Sequence, residues 1–336
     1  MAACTPLSTN SQCATMPARD KRVCALRRFG SAITILTILG HSFLGFEAAL
    51  GMVFVALATT YSVDFLLETI DARAHRRRAQ YRGGVRAMID FFLPAHISGL
   101  AIAMLTFSGA HFLPIVLAGA VAMASKWIFR APVGRGMRHF LNPSNTGIAF
   151  VLVVFPWVGI APPYQFTENV AGGWDWFFPS LIILSGSVLN ACLTGRIPLI
   201  LSWLGGFAAQ ALVRAALSEV SPIPALAPMT GMAFLLYTFY MISDPATTPM
   251  RRAPQVFFGL TVAAVYGVFT EFGGVFGLFF ALFAVCATRG VGLWVLAFAR
   301  SRAEARAVLP SPAAFGSATA SPQVALEPFT MKGRAT

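Results

Sequence analysis

Apolar residues along the chain come in ten long runs, separated by short segments that carry most of its polar and charged residues. A helix of about 17 to 25 apolar residues spans the hydrocarbon core of a bilayer. The sequence therefore predicts an all-α fold, a polytopic membrane helical bundle with about ten transmembrane helices. The predicted ranges are 30–46, 48–67, 91–107, 112–129, 146–160, 176–194, 197–213, 229–242, 255–270 and 273–288. The shortest of them indicate tilted helices, half-helices or helices with ends buried in protein.

Ten spans divide into five plus five, and inverted repeats are common in membrane carriers. The two halves show no strong sequence similarity to each other. A 5+5 inverted repeat is therefore a hypothesis from the helix count and from the interrupted segments.

Four regions follow from this pattern. Residues 1–29 form a basic N-terminal tail, and residues 30–290 form the ten-helix membrane domain. Residues 291–308 are apolar and then basic, which is typical of an interfacial segment or of an extension of the last helix. Residues 309–336 are rich in Pro, Ser, Ala and Thr, which predicts a disordered tail.

The basic residues predict the orientation, because cytoplasmic loops carry the excess of Lys and Arg. With ten spans, 24 of the 25 lysines and arginines fall on one side, and Arg214 is the exception. That side includes both termini, which are therefore expected in the cytoplasm. Its loops are 71–90, 126–145, 194–197 and 243–254.

Composition supports the membrane interpretation, with 57% hydrophobic and 11% charged residues. The net charge of +12 does not indicate nucleic-acid binding, because the basic residues lie between apolar runs and not on one face with stacking aromatics. The lipid bilayer is the expected partner. Five cysteines without a C-x-x-C pair give little support to a disulfide scaffold, and the chain lacks the phosphate-binding, zinc-protease and serine-hydrolase motifs.

The first polar break in the apolar pattern is H-F-L-N-P-S-N-T-G-I-A-F, residues 139–150. Its polar side chains are Asn142, Ser144, Asn145 and Thr146. They could present hydrogen bonds and a positive helix N-terminus to a phosphate or to a ring carbonyl. The alternative is a helix cap, which needs no ligand.

The second polar break is S-D-P-A-T-T-P, residues 243–249, followed by two arginines. Asp244 could bind a ring nitrogen, a proton or a cation, with Thr247, Thr248 and Arg252 beside it. Alternatively, Asp244 caps the next helix or pairs with Arg251 or Arg252.

Ionisable residues at membrane depth are functional candidates. Glu47, Asp64, Lys126 and Glu271 all lie close to predicted helix ends, so their side chains are expected to reach water. Asn190 lies deeper in its run and is expected to make a hydrogen bond between helices.

Three motifs resemble the NqrB/RnfD family of membrane electron-transport subunits. They are N-P-S-N-T-G at 142–147, G-S-V-L-N-A-C-L-T-G-R-I-P-L-I at 186–200, and M-I-S-D-P-A-T-T-P at 241–249. Within that family, the sequences N-P-S-N and N-A-C-L-T-G-R-I-P-L most resemble the UnbU-type branch, which is associated with enediyne natural-product biosynthesis.

The resemblance implies a ten-helix subunit of the bacterial inner membrane that carries flavin and works with other membrane or soluble redox subunits. Family members that bind FMN covalently use a threonine in an S-G-A-T-like element, and this sequence has no such element in its non-cytoplasmic loops. The implied cofactor is therefore FMN or riboflavin bound non-covalently. We assign eight residues of the two polar breaks and their flanks to the lining of a cofactor or substrate cavity, as the cofactor-binding candidates: Asn142, Ser144, Asn145, Thr146, Asp244, Thr247, Thr248 and Arg252.

Two other functions fit the same helices. A cofactor-free transporter would move a small molecule through a cavity between the two halves. A scaffold would instead dock soluble partners on basic loops, including Arg76 to Arg78.

Overall fold

The computed structural model describes residues 18–46, 48–134, 136–161, 172–219 and 221–308. In lipid, backbone polar groups must be paired within the chain, and helices achieve this within each apolar run. The helices are α1 (Ala18–Leu39), α2 (Leu50–Ala74), α3 (Val85–Leu105), α4 (Leu113–Ile128), α5 (Pro143–Val154), α6 (Trp174–Leu189), α7 (Ile197–Leu217), α8 (Pro222–Leu226), α9 (Met232–Leu236), α10 (Arg252–Glu271) and α11 (Gly277–Val308). Each of the ten predicted ranges overlaps one of these helices or, for 229–242, the bent segment that contains α9.

Three helices are extended by a π-helical turn. The turns are Gly40–Leu44 after α1, Asn190–Thr194 after α6 and Tyr237–Met241 after α9. A 3-10 turn, Ala227–Thr230, follows α8, and the segment Pro222–Thr230 is bent by 66° relative to the segment Ala233–Met241.

Six helices in the described part of the chain are long and apolar enough to cross a bilayer, and a seventh span is added if the bent α8 and α9 segment counts as one. Helices α4 and α5 and the stretch Pro179–Thr194 are apolar but shorter. The structure is therefore that of a helical, multi-pass membrane protein.

Short strands form two antiparallel ladders beside the helices. β1 (Thr106–Phe107) pairs with β4 (Gly159–Ile160), and β2 (Arg130–Val133) forms a hairpin with β3 (Gly136–His139). The predicted fifth span, 146–160, is thus only partly helical: α5 ends at Val154 and the chain then turns back to pair with β1. The all-α prediction holds for the bundle and misses these two ladders.

Small residues allow the helices to approach closely, as is common within membranes. α5 packs on α4, and a side chain at Gly147 would meet the backbone carbonyl of Ala118. α7 lies along α10, where Gly259 faces Ser202 and the backbone of Leu199. These contacts position α5 and α10, the helices that follow the two polar breaks.

Some sequence predictions concern residues outside the described part of the chain. These are the predicted tail 309–336, residues 1–17 of the N-terminal tail and Glu47. Helix α1 already begins at Ala18, within the predicted tail, and α11 runs through 291–308. Cys24 is disulfide-bonded, which the cysteine spacing did not predict.

The chain divides into two units, Met1–Leu293 and Trp294–Thr336. The first contains all the helices from α1 to α10 and the beginning of α11. In the second, the described part is helical, and the Arg302 guanidinium lies 4.4 Å from the ring centroid of Phe298.

Candidate functional site

The first polar break forms the N-terminus of α5. Asn142 is its N-cap, and its Oδ1 accepts hydrogen bonds from the Asn145 backbone N–H at 3.1 Å and the Ser144 hydroxyl at 3.0 Å. The Thr146 hydroxyl donates to the Asn142 carbonyl at 2.7 Å. Pro143 occupies the first turn, where a missing N–H costs nothing. The capping alternative is therefore confirmed for Asn142.

The same break also bonds to two other parts of the bundle. Asn142 Nδ2 donates to the Met241 carbonyl at 3.2 Å, immediately before the second break. Asn145 Nδ2 donates to the Phe279 carbonyl on α11 at 3.0 Å. The Asn145 Oδ1 is buried and has no hydrogen-bond partner among the described residues. The first break is thus joined to the second and to the last helix.

The second polar break forms a tight turn held by Asp244. Its Oδ1 accepts a hydrogen bond from the Ala246 N–H at 3.0 Å, and its Oδ2 accepts one from the Thr247 hydroxyl at 3.1 Å. The Thr248 hydroxyl donates to the Asp244 carbonyl at 2.5 Å. Aspartate commonly stabilises turns by bonding to its own following backbone. Among the described residues, the ion pairs do not join Asp244 to Arg251 or Arg252.

Two arginines that the sequence did not single out hold this turn in place, and of these Arg196 is buried and Arg289 is half-buried. Arg196 Nε donates to the Thr248 hydroxyl oxygen at 2.9 Å, and its Nη2 donates to the Pro245 carbonyl at 3.3 Å. Arg289 Nη1 donates to the Thr247 carbonyl at 2.7 Å. The signal in the sequence was one arginine between two apolar runs, in T-G-R-I-P, and another immediately after the last predicted run.

Arg196 is only 2% exposed. Burial lowers the pKa of its guanidinium from the ordinary value, the negative charge of Asp244 opposes that change, and the positive charge of Arg289 adds to it. The carboxylate of Asp244 and the buried arginine therefore stabilise each other across the turn.

Both breaks open onto one cavity of about 350 Å³. Its walls come from α1, α3, α6 and the π-helical turn after α9, and most of the lining side chains are apolar. Phe29 and Tyr240 stack on its wall with ring centroids 4.9 Å apart and planes 8° apart. The polar and charged side chains along the lining are Ser98, Lys126, His139, Asn142, Ser144, Ser185, Thr194, Tyr240, Ser243 and Asp244. An apolar cavity with a few polar groups is typical of a small-molecule site.

The structure separates the eight predicted site residues into three groups. Asn142, Ser144 and Asp244 line the cavity. Four others are buried behind its wall, where they hold the turns: Asn145, Thr146, Thr247 and Thr248. Arg252 is exposed at the first residue of α10 and does not belong to the lining.

Lys126 reaches the cavity from α4 and is paired with a buried carboxylate. Its Nζ lies 2.9 Å from both oxygens of Asp64 on α2, and the Trp127 Nε1 donates to Asp64 Oδ1 at 3.2 Å. The Asp64 side chain has no exposed surface. The expectation that Asp64 reaches water was therefore wrong, because α4 covers it and supplies its partner.

The chemistry of the cavity follows from these groups. Its hydrogen-bonding groups are an amide, hydroxyls, an imidazole, one ammonium and the carboxylate of Asp244. The donors among them suit carbonyl, ring nitrogen or oxyanion groups of an organic ligand. The described residues contain no cluster of three or more His, Cys, Asp or Glu side chains that could hold a metal ion. Asn142, Ser144 and Lys126 are the residues placed to hold the polar part of such a molecule, and Phe29 and Tyr240 could contact its apolar part.

Comparison with family models finds no match for this chain, and comparison with curated proteins finds none either.

Proposed function

We propose that this chain is an integral membrane protein that binds a flavin non-covalently in the cavity and takes part in membrane electron transport, as its resemblance to NqrB/RnfD subunits implies. The observation that carries the proposal is the single cavity shared by the two polar breaks. It combines apolar walls with amide and hydroxyl groups, a lysine and an aspartate, and this combination matches a flat ring system with polar edges. FMN and riboflavin are the proposed cofactors.

We propose in addition that all ten helical segments cross the membrane, with both termini in the cytoplasm, and that they form two inverted halves of five. The first helix of each proposed half ends in the same way, and this similarity supports the repeat. Helix α1 ends in the π-turn Gly40–Leu44 and the left-handed Gly45, and α6 ends in the π-turn Asn190–Thr194 and the left-handed Gly195. The φ and ψ angles are 78° and 36° at Gly45, and 66° and 35° at Gly195.

An absorbance spectrum of the full chain, purified in a mild detergent and then titrated with riboflavin and FMN, tests the cofactor. We expect either a flavin spectrum from the purified protein or saturable quenching of added flavin fluorescence. Phe29→Leu removes the stacked ring that lines the cavity, and we expect it to weaken flavin binding about tenfold. The matched control Phe272→Leu changes a side chain just after α10 that is 86% exposed. Colourless protein with no affinity for either flavin contradicts the proposal.

A cofactor-free transporter is the second candidate, and the bent α8 and α9 segment and the short α5 favour it. Interrupted helices that meet at a cavity are typical of secondary transporters. In that case the protein binds no flavin, and Asp244→Ala abolishes substrate flux in proteoliposomes without changing membrane redox activity.

A further inference from the structure

We propose that Lys126 binds an oxyanion at the cavity, so that the preferred ligand is an amphiphile with one acidic head group and an apolar body. The head group is a phosphate or a carboxylate. This inference rests on the proposed function in using the same cavity, but it names the chemical class of the ligand independently of whether its body is a flavin.

Lys126 lines the cavity and contacts a carboxylate that lies outside it. An ammonium has three N–H donors. Asp64 accepts from this ammonium through two contacts of 2.9 Å, and it is fully buried and not part of the lining. The Lys126 side chain is 18% exposed and belongs to the lining. Lys126 is also the only lysine or arginine among the described residues that line the cavity.

Asp64 explains why a lysine can be present here at all. A cation in an apolar environment needs a partner, because loss of its hydration is costly. Asp64 provides that partner through two contacts of 2.9 Å. Trp127 donates to the same carboxylate, and its ring in turn lies 4.4 Å from the guanidinium of Arg130. The pair keeps a charged ammonium at the wall while the cavity itself stays mostly apolar.

Other charges near the lining also favour an anion. Helix α5 begins at the cavity with Pro143 and Ser144, and a helix N-terminus carries a partial positive charge. Asp244 is the one carboxylate of the lining among the described residues, and its oxygens already accept hydrogen bonds from the Ala246 N–H and the Thr247 hydroxyl. Arg196 lies behind that turn and offsets its negative charge. His139 also lines the cavity.

The test compares acidic and neutral ligands that share the same body. The full chain is placed in nanodiscs of phosphatidylcholine and titrated with two pairs, FMN against riboflavin and dodecanoate against dodecanol. We expect the acidic member of a pair to bind about tenfold more tightly, as for one charge-assisted hydrogen bond. The flavin pair reports a cofactor, and the dodecyl pair reports a lipid-like ligand.

Three variants assign the preference to Lys126. Lys126→Arg keeps the cation and keeps the preference. Lys126→Gln removes it while the neutral member of the pair binds within about twofold of wild type. Because Lys126→Gln leaves Asp64 buried without its partner, the double variant Lys126→Gln with Asp64→Asn replaces the ion pair by two neutral amides, and we expect the same loss of preference from it.

The outcomes separate the two proposals. If neither flavin binds but dodecanoate binds more tightly than dodecanol through Lys126, the flavin proposal fails and this inference stands. If riboflavin and FMN bind equally well, and dodecanoate and dodecanol do too, the inference is overturned although a flavin site remains. A preference for acids that persists in the folded double variant also overturns it.

Discussion

Asn142 has two separable roles at the residue scale. Its Oδ1 caps α5, and its Nδ2 joins α5 to the Met241 carbonyl. Serine is also a good N-cap but is too short to copy the second contact. We expect Asn142→Ala to lower stability by about 1 kcal/mol more than Asn142→Ser, because only alanine removes the cap. Thermal unfolding of the detergent-purified variants measures the difference, and equal shifts would show that the cap contributes nothing.

Arg196 and Arg252 provide a second comparison. The buried Arg196 donates to Thr248 and to the Pro245 carbonyl, whereas Arg252 is exposed. Removing a charged donor that serves a buried turn costs roughly 1.5–3 kcal/mol per hydrogen bond. We therefore expect Arg196→Met to lower the midpoint of thermal unfolding markedly and to disorder the turn at Asp244.

The matched variant Arg252→Met should stay within about 0.5 kcal/mol of wild type, as most surface substitutions do. Mobility at the turn is measured by hydrogen exchange of residues 244–250. If both variants behave alike, the guanidinium contacts of Arg196 do not hold the turn.

Single residues also show what sequence could and could not predict about the site. Asn190 was expected to bond between helices, and its Nδ2 does donate to the Phe239 carbonyl at 2.9 Å. A polar side chain within an apolar run has few hydrogen-bond partners other than the backbone of its own helix or of a neighbouring one. The partners of Asp64 and Thr248 lie 62 and 52 residues away in the chain, and that kind of pairing has no local pattern. Contacts between distant helices decide which polar residues face the cavity and which lie behind its wall.

At the element scale, the positions and order of the main helical segments could be predicted from the apolar runs, but several of their ends could not. α1 begins twelve residues before the predicted span, and α5 ends at Val154 although the run continues to Ile160. Hydropathy measures the affinity of a segment for lipid. It does not detect where the backbone leaves the helix to pair with another segment, as Gly159 and Ile160 do with β1.

Close packing of α5 on α4 depends on a glycine. A Cβ at Gly147 would lie 2.2 Å from the carbonyl oxygen of Ala118. That oxygen belongs to the backbone and cannot rotate away as a side chain could. We expect Gly147→Ala to push α5 away from α4, to destabilise the protein by about 1–3 kcal/mol and to deform the polar end of the cavity.

Gly205 in α7 is the control for this substitution. A Cβ added there would meet no other atom within 4 Å, and the residue lies on an exposed face of the helix. Alanine there should be neutral or should stabilise the helix by up to about 1 kcal/mol. Paired unfolding curves test both expectations, and a stable Gly147→Ala variant would contradict the role of close approach at this contact.

At the scale of the whole molecule, the two polar breaks meet because separate loops converge on one side of the bundle. Asn142 contacts Met241, Arg196 contacts Thr248, and Arg289 contacts Thr247. The proposed topology places all of these residues near the cytoplasmic ends of the helices. In the proposed ten-span topology α4 brings the chain back to this side and α5 leaves from it, although both helices are shorter than an ordinary span.

The number of crossings can be measured at two loop positions where the alternatives differ. If all ten segments cross, Met137 in the β2–β3 hairpin lies on the same side as Arg78, and Leu217 at the end of α7 lies on the same side as Phe272. If only the six long helices cross, the chain does not return between α3 and α7, and both assignments are reversed. Met137 is 51% exposed and Leu217 is 79% exposed, so each can be labelled.

Single substitutions to cysteine at these four positions, labelled with a membrane-impermeant maleimide in sealed vesicles and again after permeabilisation, distinguish the two cases. Arg78→Cys and Phe272→Cys define the two sides, and the wild-type chain sets the background from its own cysteines. We expect Met137→Cys to label like Arg78→Cys, and Leu217→Cys to label like Phe272→Cys. The reverse pattern would remove the 5+5 arrangement, because two inverted halves of five require α4, α5, α6 and the bent α8 and α9 segment to cross along with the six long helices.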